Sequence, residues 1–143
     1  MNEMIRVLFL CTHNSARSQM AEGWLRRVGG SQVEVASAGT EATRVRALAA
    51  LAMSEIGVDL LAHASKTFER FLGQSWDYVI TVCDDANEAC PVFPGARHRL
   101  HWSFPDPSKA GGTDEEQLAV YRTVRDAICL RIDAFARQEL ASG

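Results

Sequence analysis

The chain has 143 residues, 47% of them apolar and 23% charged, and a formal net charge of −3. That length holds a single domain (residues 1–143) with room for a core, and the mildly acidic balance argues against a nucleic-acid partner. No apolar run approaches the roughly 20 residues of a membrane span. The N-terminus enters strand-like sequence without a signal-peptide pattern, so no membrane association and a cytoplasmic location are expected.

Ile5 to Leu10 is apolar apart from Arg6, the pattern of a strand buried on both faces. It stops at Cys11, and a short polar stretch leads to Arg17. From Arg17 to Val28, the spacing of Met20, Ala21, Trp24, Leu25 and Val28 predicts a helix, ended by Gly29 and Gly30. Val33 to Ala38 predicts a second strand ending at Gly39. Val45, Leu48, Ala49, Ala52 and Ile56 follow helical spacing, with Gly57 at the stop. Thr67 to Leu72 predicts a short helix, Trp76 to Val82 a third strand, and Arg97 to Trp102 a fourth, weaker one. Thr113 and Glu116 form a T-x-x-E capping box. Behind it Tyr121, Val124, Ile128, Ile132 and Phe135 mark a long amphipathic helix.

Strands separated by helices imply a parallel sheet covered on both faces. Ligands of such sheets sit beyond the carboxyl ends of the strands. Cys11 follows the first strand, Cys83 the third, and Asp106 comes soon after the fourth, so three reactive side chains are expected at that edge.

Between Cys11 and Arg17 lie Thr12, His13, Asn14, Ser15 and Ala16. A loop running straight into a helix lets successive backbone N–H groups converge on one point, and the helix N-terminus adds partial positive charge. Arg17 offers a planar fork that suits a tetrahedral oxyanion. The same field favours the thiolate form of Cys11, the nucleophilic form, and Ser18 is placed to donate a hydrogen bond to it. Asn14 is expected to shape the loop, because Asn tolerates left-handed backbone. His13 carries no clear assignment.

The four cysteines are Cys11, Cys83, Cys90 and Cys129. In a reducing cytoplasm they are not expected to form permanent disulfides. None shows zinc-ribbon spacing, and His63, His98 and His101 complete no metal set, so neither metal nor bound cofactor is expected. Cys129 lies mid-helix beside the apolar stripe and reads as packing.

The stretch C-T-H-N-S-A-R-S, Cys11 to Ser18, resembles the signature of the low-molecular-weight protein tyrosine phosphatase fold. The resemblance runs over nearly the whole chain, including S-A-G at Ser37 to Gly39. It implies a three-layer α/β/α sandwich around a four-stranded parallel sheet in the order 2-1-3-4. It also implies that Cys11 is the nucleophile, that Arg17 grips the anion, and that Asp106 of the Asp106-Pro107 pair is the general acid. T-V-C-D-D-A-N-E-A-C-P, with six residues between Cys83 and Cys90, is similar to the redox segment of the thioredoxin-coupled arsenate reductases that share this fold. H-W-S-F-P-D-P, His101 to Pro107, resembles the same subfamily.

By that resemblance Cys11 attacks arsenate, Asp106 protonates the leaving oxygen, Cys83 attacks the adduct, and Cys90 takes over the disulfide. Thioredoxin, supplied ultimately by NADPH, would then reduce a Cys83–Cys90 disulfide, with arsenic detoxification as the outcome. Phosphate and sulfate are the expected competing anions. The polar segment Asp84 to Ala89 reads as able to loop out and deliver Cys90.

Two features depart from the subfamily pattern. A second Cys that often precedes the loop Arg is here Ala16. The potassium site of better-known members would map to Asn14, Glu22 and Ser37, but its last acidic ligand aligns with Lys66, whose ammonium would stand in for the cation and pair with Glu22. A phosphatase on tyrosyl or small phosphate esters is the alternative, although Pro107-Ser108 lacks the tyrosines that eukaryotic phosphatases tend to carry there. A non-catalytic oxyanion or redox sensor is the third reading. No coiled coil or exposed apolar helix calls for an oligomer, and a monomer is expected.

Overall fold

In the computed structural model, residues 4–60, 62–84 and 93–140 are described. Four strands form one parallel sheet: β1 (Ile5–Cys11), β2 (Val33–Gly39), β3 (Trp76–Thr81) and β4 (Ala96–His101). Their order is β2-β1-β3-β4, the order implied by the resemblance. β1 sits in the middle, pairing Leu8 with Ala36 of β2 and with Val79 of β3. A central strand has no solvated face, which is why Val7, Leu8, Phe9 and Leu10 are all 0% exposed. β4 is an edge strand, and its run of Arg97, His98, Arg99 and His101 leaves it mostly exposed.

Among the described residues three α-helices accompany the sheet: α1 (Arg17–Gly29), α2 (Ala47–Ser54) and α3 (Asp114–Glu139). One apolar cluster joins Val7 and Phe9 of β1 to Met20, Ala21 and Leu25 of α1, Ala49, Ala52 and Met53 of α2, and Tyr121, Val124, Ile128, Ile132 and Phe135 of α3. Truncating Phe9 to Ala in such a cluster costs about 3–5 kcal/mol. The opposite sheet face carries Leu8, Leu10 and Val79. Among the described residues it is covered by Phe93 and by Phe68 and Phe71 of the 3-10 turn Phe68–Phe71.

The capping box is present in full, with Thr113 Oγ1 accepting from Glu116 N at 3.1 Å and Glu116 Oε1 accepting from Thr113 N at 2.9 Å. Three sequence expectations shift. α2 begins at Ala47 and not at Val45, because Arg46 is extended and donates its N–H to Ser15 O at 2.9 Å. The Thr67–Leu72 helix is a single 3-10 turn. Val28 is 40% exposed, because the buried stripe of α1 runs through Ala21, Leu25 and Gly29. Trp24 is only half-buried and uses its indole N–H to bond Asp133 of α3 at 2.8 Å.

Candidate active site

Cys11 ends β1 at 2% exposure, and Arg17 opens α1. The loop between them is held from outside through its carbonyls. Thr12 O accepts from Glu41 N and from Thr40 Oγ1, each at 3.0 Å, and His13 O accepts from Ser65 Oγ at 2.9 Å. Asn14 O accepts from Gln19 Nε2 at 3.2 Å and Ser15 O from Arg46 N. In a planar trans peptide the N–H points opposite to the C=O. Carbonyls drawn outward therefore turn the N–H groups of His13, Asn14, Ser15 and Ala16 toward the inside of the loop. Ala16 caps α1 without a side-chain bond, so no cap competes for the first helical N–H groups.

Asn14 fixes this shape. Among the described residues it is the non-glycine residue with positive φ, 51°, the left-handed conformation expected of it. Its side chain is fully engaged: Nδ2 donates to Ser18 Oγ at 2.8 Å and to Ser37 Oγ at 2.9 Å, while Oδ1 accepts from Gln19 Nε2 and Lys66 N, each at 2.9 Å. Ser18 Oγ lies 2.8 Å from Cys11 Sγ. Gly39 follows from the same closeness. A Cβ there would stand 2.6 Å from Thr12 O and 2.9 Å from Asn14 N, so only glycine lets β2 lie against the loop.

Arg17 is 4% exposed. Its Nη1 donates to Phe104 O at 3.1 Å and its Nη2 lies 3.6 Å from Asp106 Oδ2. The guanidinium is thus aimed by the segment that carries the candidate acid. Asp106 precedes the 3-10 turn Pro107–Lys109, and its Oδ1 accepts from Ser108 N at 2.9 Å and Ser108 Oγ at 2.7 Å. α3 closes this side with Tyr121, whose phenol is pushed up by burial; nearby Arg46 opposes the shift and Asp106 adds to it.

Cys83 is 0% exposed and follows β3, two residues beyond Thr81, which stands opposite Leu10 of β1. Cys11 and Cys83 therefore end adjacent strands at one sheet edge. Cys90 lies outside the described residues.

Beside the loop, Glu22 is 5% exposed and accepts from Ser37 Oγ and Arg26 Nη2, each at 2.5 Å. Lys66 Nζ lies 3.8 Å from Glu22 Oε1 and donates to Ala64 O at 3.0 Å. Burial pushes the Lys66 ammonium down, and the Glu22 carboxylate works against that shift. Sequence reading missed two residues here. His63 Nδ1 is 2.9 Å from Gln19 Oε1 and 3.8 Å from Glu22 Oε2. Burial pushes His63 down, with Glu22 opposing and Arg26 adding. The His13 side chain stays outside this network, exposed and 3.9 Å from Glu41. Among the described residues no group of three or more His, Cys, Asp or Glu is placed to hold a metal ion, and no helix is long and apolar enough to cross a membrane.

A four-stranded parallel sheet with a cysteine, a five-residue anion loop and a buried arginine at its carboxyl edge defines a class. The chain belongs to the low molecular weight phosphotyrosine protein phosphatase family, whose profile matches residues 6–142. Within it, an arsenate reductase of Halalkalibacterium halodurans is 49% identical over 136 residues, covering 95% of this chain and 97% of its own. An arsenate reductase of Bacillus subtilis is 43% identical over 130 residues, covering 91% and 94%. Among solved structures, an arsenate reductase in a phosphate-binding state superposes with a TM-score of 0.80 at 32% identity, covering 94% of this chain and 98% of its own. A thioredoxin-dependent arsenate reductase of Corynebacterium glutamicum gives a TM-score of 0.73 at 30% identity, covering 98% of this chain and 64% of its own.

Proposed function

We propose that this protein is an enzyme that reduces arsenate to arsenite, with Cys11, Cys83 and Cys90 as a thiol relay and thioredoxin as electron donor. The observation that carries the reading is the pair of buried thiols at the carboxyl ends of adjacent strands, Cys11 closing β1 and Cys83 two residues beyond β3, with the Arg17–Asp106 pair at the end of the Cys11 loop. A phosphatase needs one thiol; a two-electron reduction that ends in a disulfide needs a second. The names of the relatives support arsenate as substrate, and one of them supports thioredoxin.

In this reading the loop Thr12 to Ala16, through the inward N–H groups of His13 to Ala16, and the Arg17 fork bind arsenate. The Cys11 thiolate attacks arsenic, and Asp106 gives its proton to the departing oxygen, which leaves as water. The Cys83 thiolate then attacks Cys11 Sγ. A Cys11–Cys83 disulfide forms, the sulfur–arsenic bond breaks, and its electron pair stays on arsenic, which departs as arsenite. Cys90 attacks Cys83, returns Cys11 as thiolate, and leaves a Cys83–Cys90 disulfide for the thioredoxin dithiol. No bound cofactor takes part; reducing equivalents come from NADPH through thioredoxin reductase. The protein works as a monomer in the cytoplasm. Phosphate and sulfate compete for the loop, and weak phosphatase activity accompanies the reductase because arsenate and phosphate share shape and charge. A relative solved in a phosphate-binding state supports phosphate as a competing anion.

The test combines enzyme, arsenate, thioredoxin, thioredoxin reductase and NADPH. Arsenate-dependent NADPH loss is expected, and its absence overturns the reading. Cys83→Ser is expected to abolish multiple turnover; retained turnover refutes the relay even where reduction survives.

A further inference from the structure

Asp106 holds its two carboxyl oxygens in different surroundings. Oδ1 accepts two hydrogen bonds from one residue, Ser108, through the backbone N–H at 2.9 Å and the hydroxyl at 2.7 Å. Oδ2 lies 3.6 Å from Arg17 Nη2. The asymmetry follows from the local sequence. Pro107 has no N–H, so the first backbone donor after Asp106 belongs to Ser108. Pro107 is buried at the start of the 3-10 turn and fixes where that donor points. The Asp106 side chain is only 11% exposed, which leaves it little freedom to exchange these partners for water.

We propose that Ser108 is a positioning residue for the general acid, selecting Oδ2 as the oxygen that carries the transferable proton. A proton on Oδ1 would occupy the side already facing two donors and displace at least one of them. A proton on Oδ2 displaces neither, and Oδ2 is the oxygen turned toward Arg17, the residue that grips the oxyanion. The Ser108 hydroxyl thus does two things through Asp106. It stops the carboxyl from rotating about its Cβ–Cγ bond, and it keeps the acidic hydrogen on the loop side. Ser108 donates to Asp106 and takes no proton from the reaction. This inference rests on the reading of Asp106 as general acid.

The measurement is a single turnover of fully reduced enzyme with arsenate and no thioredoxin, which isolates adduct formation and reduction from recycling. Ser108→Ala is expected to lower the saturating rate about tenfold, the loss expected of one hydrogen bond to the carboxylate charge that develops on Asp106 as its proton leaves. The half-saturating arsenate concentration should stay within about twofold, because Arg17 and the loop are untouched. Ser108→Thr keeps the hydroxyl and should restore the rate to within about twofold of the parent. In an Asp106→Asn background, Ser108→Ala should add no further loss, because residues acting as one unit are not additive. An unchanged rate for Ser108→Ala overturns the inference, and so does a Ser108→Thr variant as slow as Ser108→Ala. An equal fold-loss in the Asp106→Asn background also overturns it, since Ser108 would then act elsewhere. If Asp106→Asn itself reduces arsenate at the parent rate, the acid assignment fails and this inference with it. A slow Asp106→Asn with a normal Ser108→Ala fails the inference alone.

Discussion

Ser18 Oγ stands 2.8 Å from Cys11 Sγ, and the same hydroxyl accepts a hydrogen bond from Asn14 Nδ2. An amide nitrogen only donates, so Asn14 fixes Ser18 from behind and leaves the hydroxyl hydrogen free to point at sulfur. A thiolate can only accept, which sets the direction of the bond in the reactive state. Removing a hydrogen bond to a charged group costs about 1.5–3 kcal/mol, and each 1.4 kcal/mol is a factor of ten. Ser18→Ala is therefore expected to lower kcat/KM for arsenate by about 10- to 100-fold. Alkylation of Cys11 by iodoacetamide at pH 7 should slow in parallel. Unchanged alkylation alongside lost turnover would place the Ser18 effect at a step other than thiolate stabilisation.

Glu22 and Lys66 bear on cation dependence. Glu22 Oε1 accepts from Ser37 Oγ at 2.5 Å and lies 3.8 Å from Lys66 Nζ, while Oε2 takes the Arg26 guanidinium. Two protein cations already face this buried carboxylate. A potassium ion among Asn14, Glu22 and Ser37 would meet the Lys66 ammonium at short range. Turnover is expected to be the same in potassium as in a larger inert cation at fixed ionic strength. A clear rise with potassium would mean that Lys66 swings away and the ion takes its place.

The strands were legible because each carries its own signal: Ile5 to Leu10 reads as a strand buried on both faces and Trp76 to Val82 as a third strand, while their order in the sheet was legible only through the family resemblance. Cys11, Arg17 and Ser18 were legible for a similar reason, since the spacing within one loop and one helix turn is local. The start of α2 was not. Val45 continues the helical spacing, but Arg46 bonds Ser15 O across the fold and is held extended. The His63 contact with Gln19 joins residues 44 positions apart and left no pattern along the chain. Gln19 had a faint signal, being a polar residue on the first turn of α1 next to Ser18. The Ser108 contact lay in plain view in D-P-S, yet a proline-bounded turn and a held carboxyl look alike until the oxygens are placed.

Cys129 separates packing from chemistry among the thiols. It lies on α3 between Ile128 and Leu130, and burial, with Asp133 adding, pushes its thiol up to about 12. Almost none of it is thiolate at neutral pH, and thiolate is the reactive form. Cys129→Ala is expected to keep reductase turnover within about twofold and to lose some thermal stability from the vacated space. In the folded parent, mass-spectrometric mapping of alkylated thiols should find Cys129 modified only after denaturant is added. Turnover lost on Cys129→Ala at unchanged folding would bring a fourth thiol into the relay.

Glu55 makes the link between α2 and α3 pH-dependent. It caps the C-terminal end of α2 and receives Arg122 at two atoms, Nε to Oε1 at 2.9 Å and Nη2 to Oε2 at 2.5 Å. Arg125 Nη1 reaches Oε1 at 2.8 Å and also bonds Ala52 O at 2.8 Å. The hydrogen bond from Arg122 is the main cause that holds the Glu55 carboxyl down from 4.5 to about 2; partial burial opposes it, and Arg125 adds to it. A carboxyl lowered on folding stabilises the fold above its unfolded value and loses that contribution as pH falls through its folded value. The Glu55 contribution is therefore complete at pH 7 and is lost between about pH 4.5 and pH 2. Glu55 and Arg122 are exposed, so the effect is modest and screened by salt. Glu55→Gln is expected to melt a few degrees below the parent at pH 7 in low salt. The gap should narrow as pH falls through that window, and molar salt at pH 7 should narrow it as well. A gap that stays constant from pH 7 to pH 2 would assign the Glu55 contribution to neutral hydrogen bonding and not to charge.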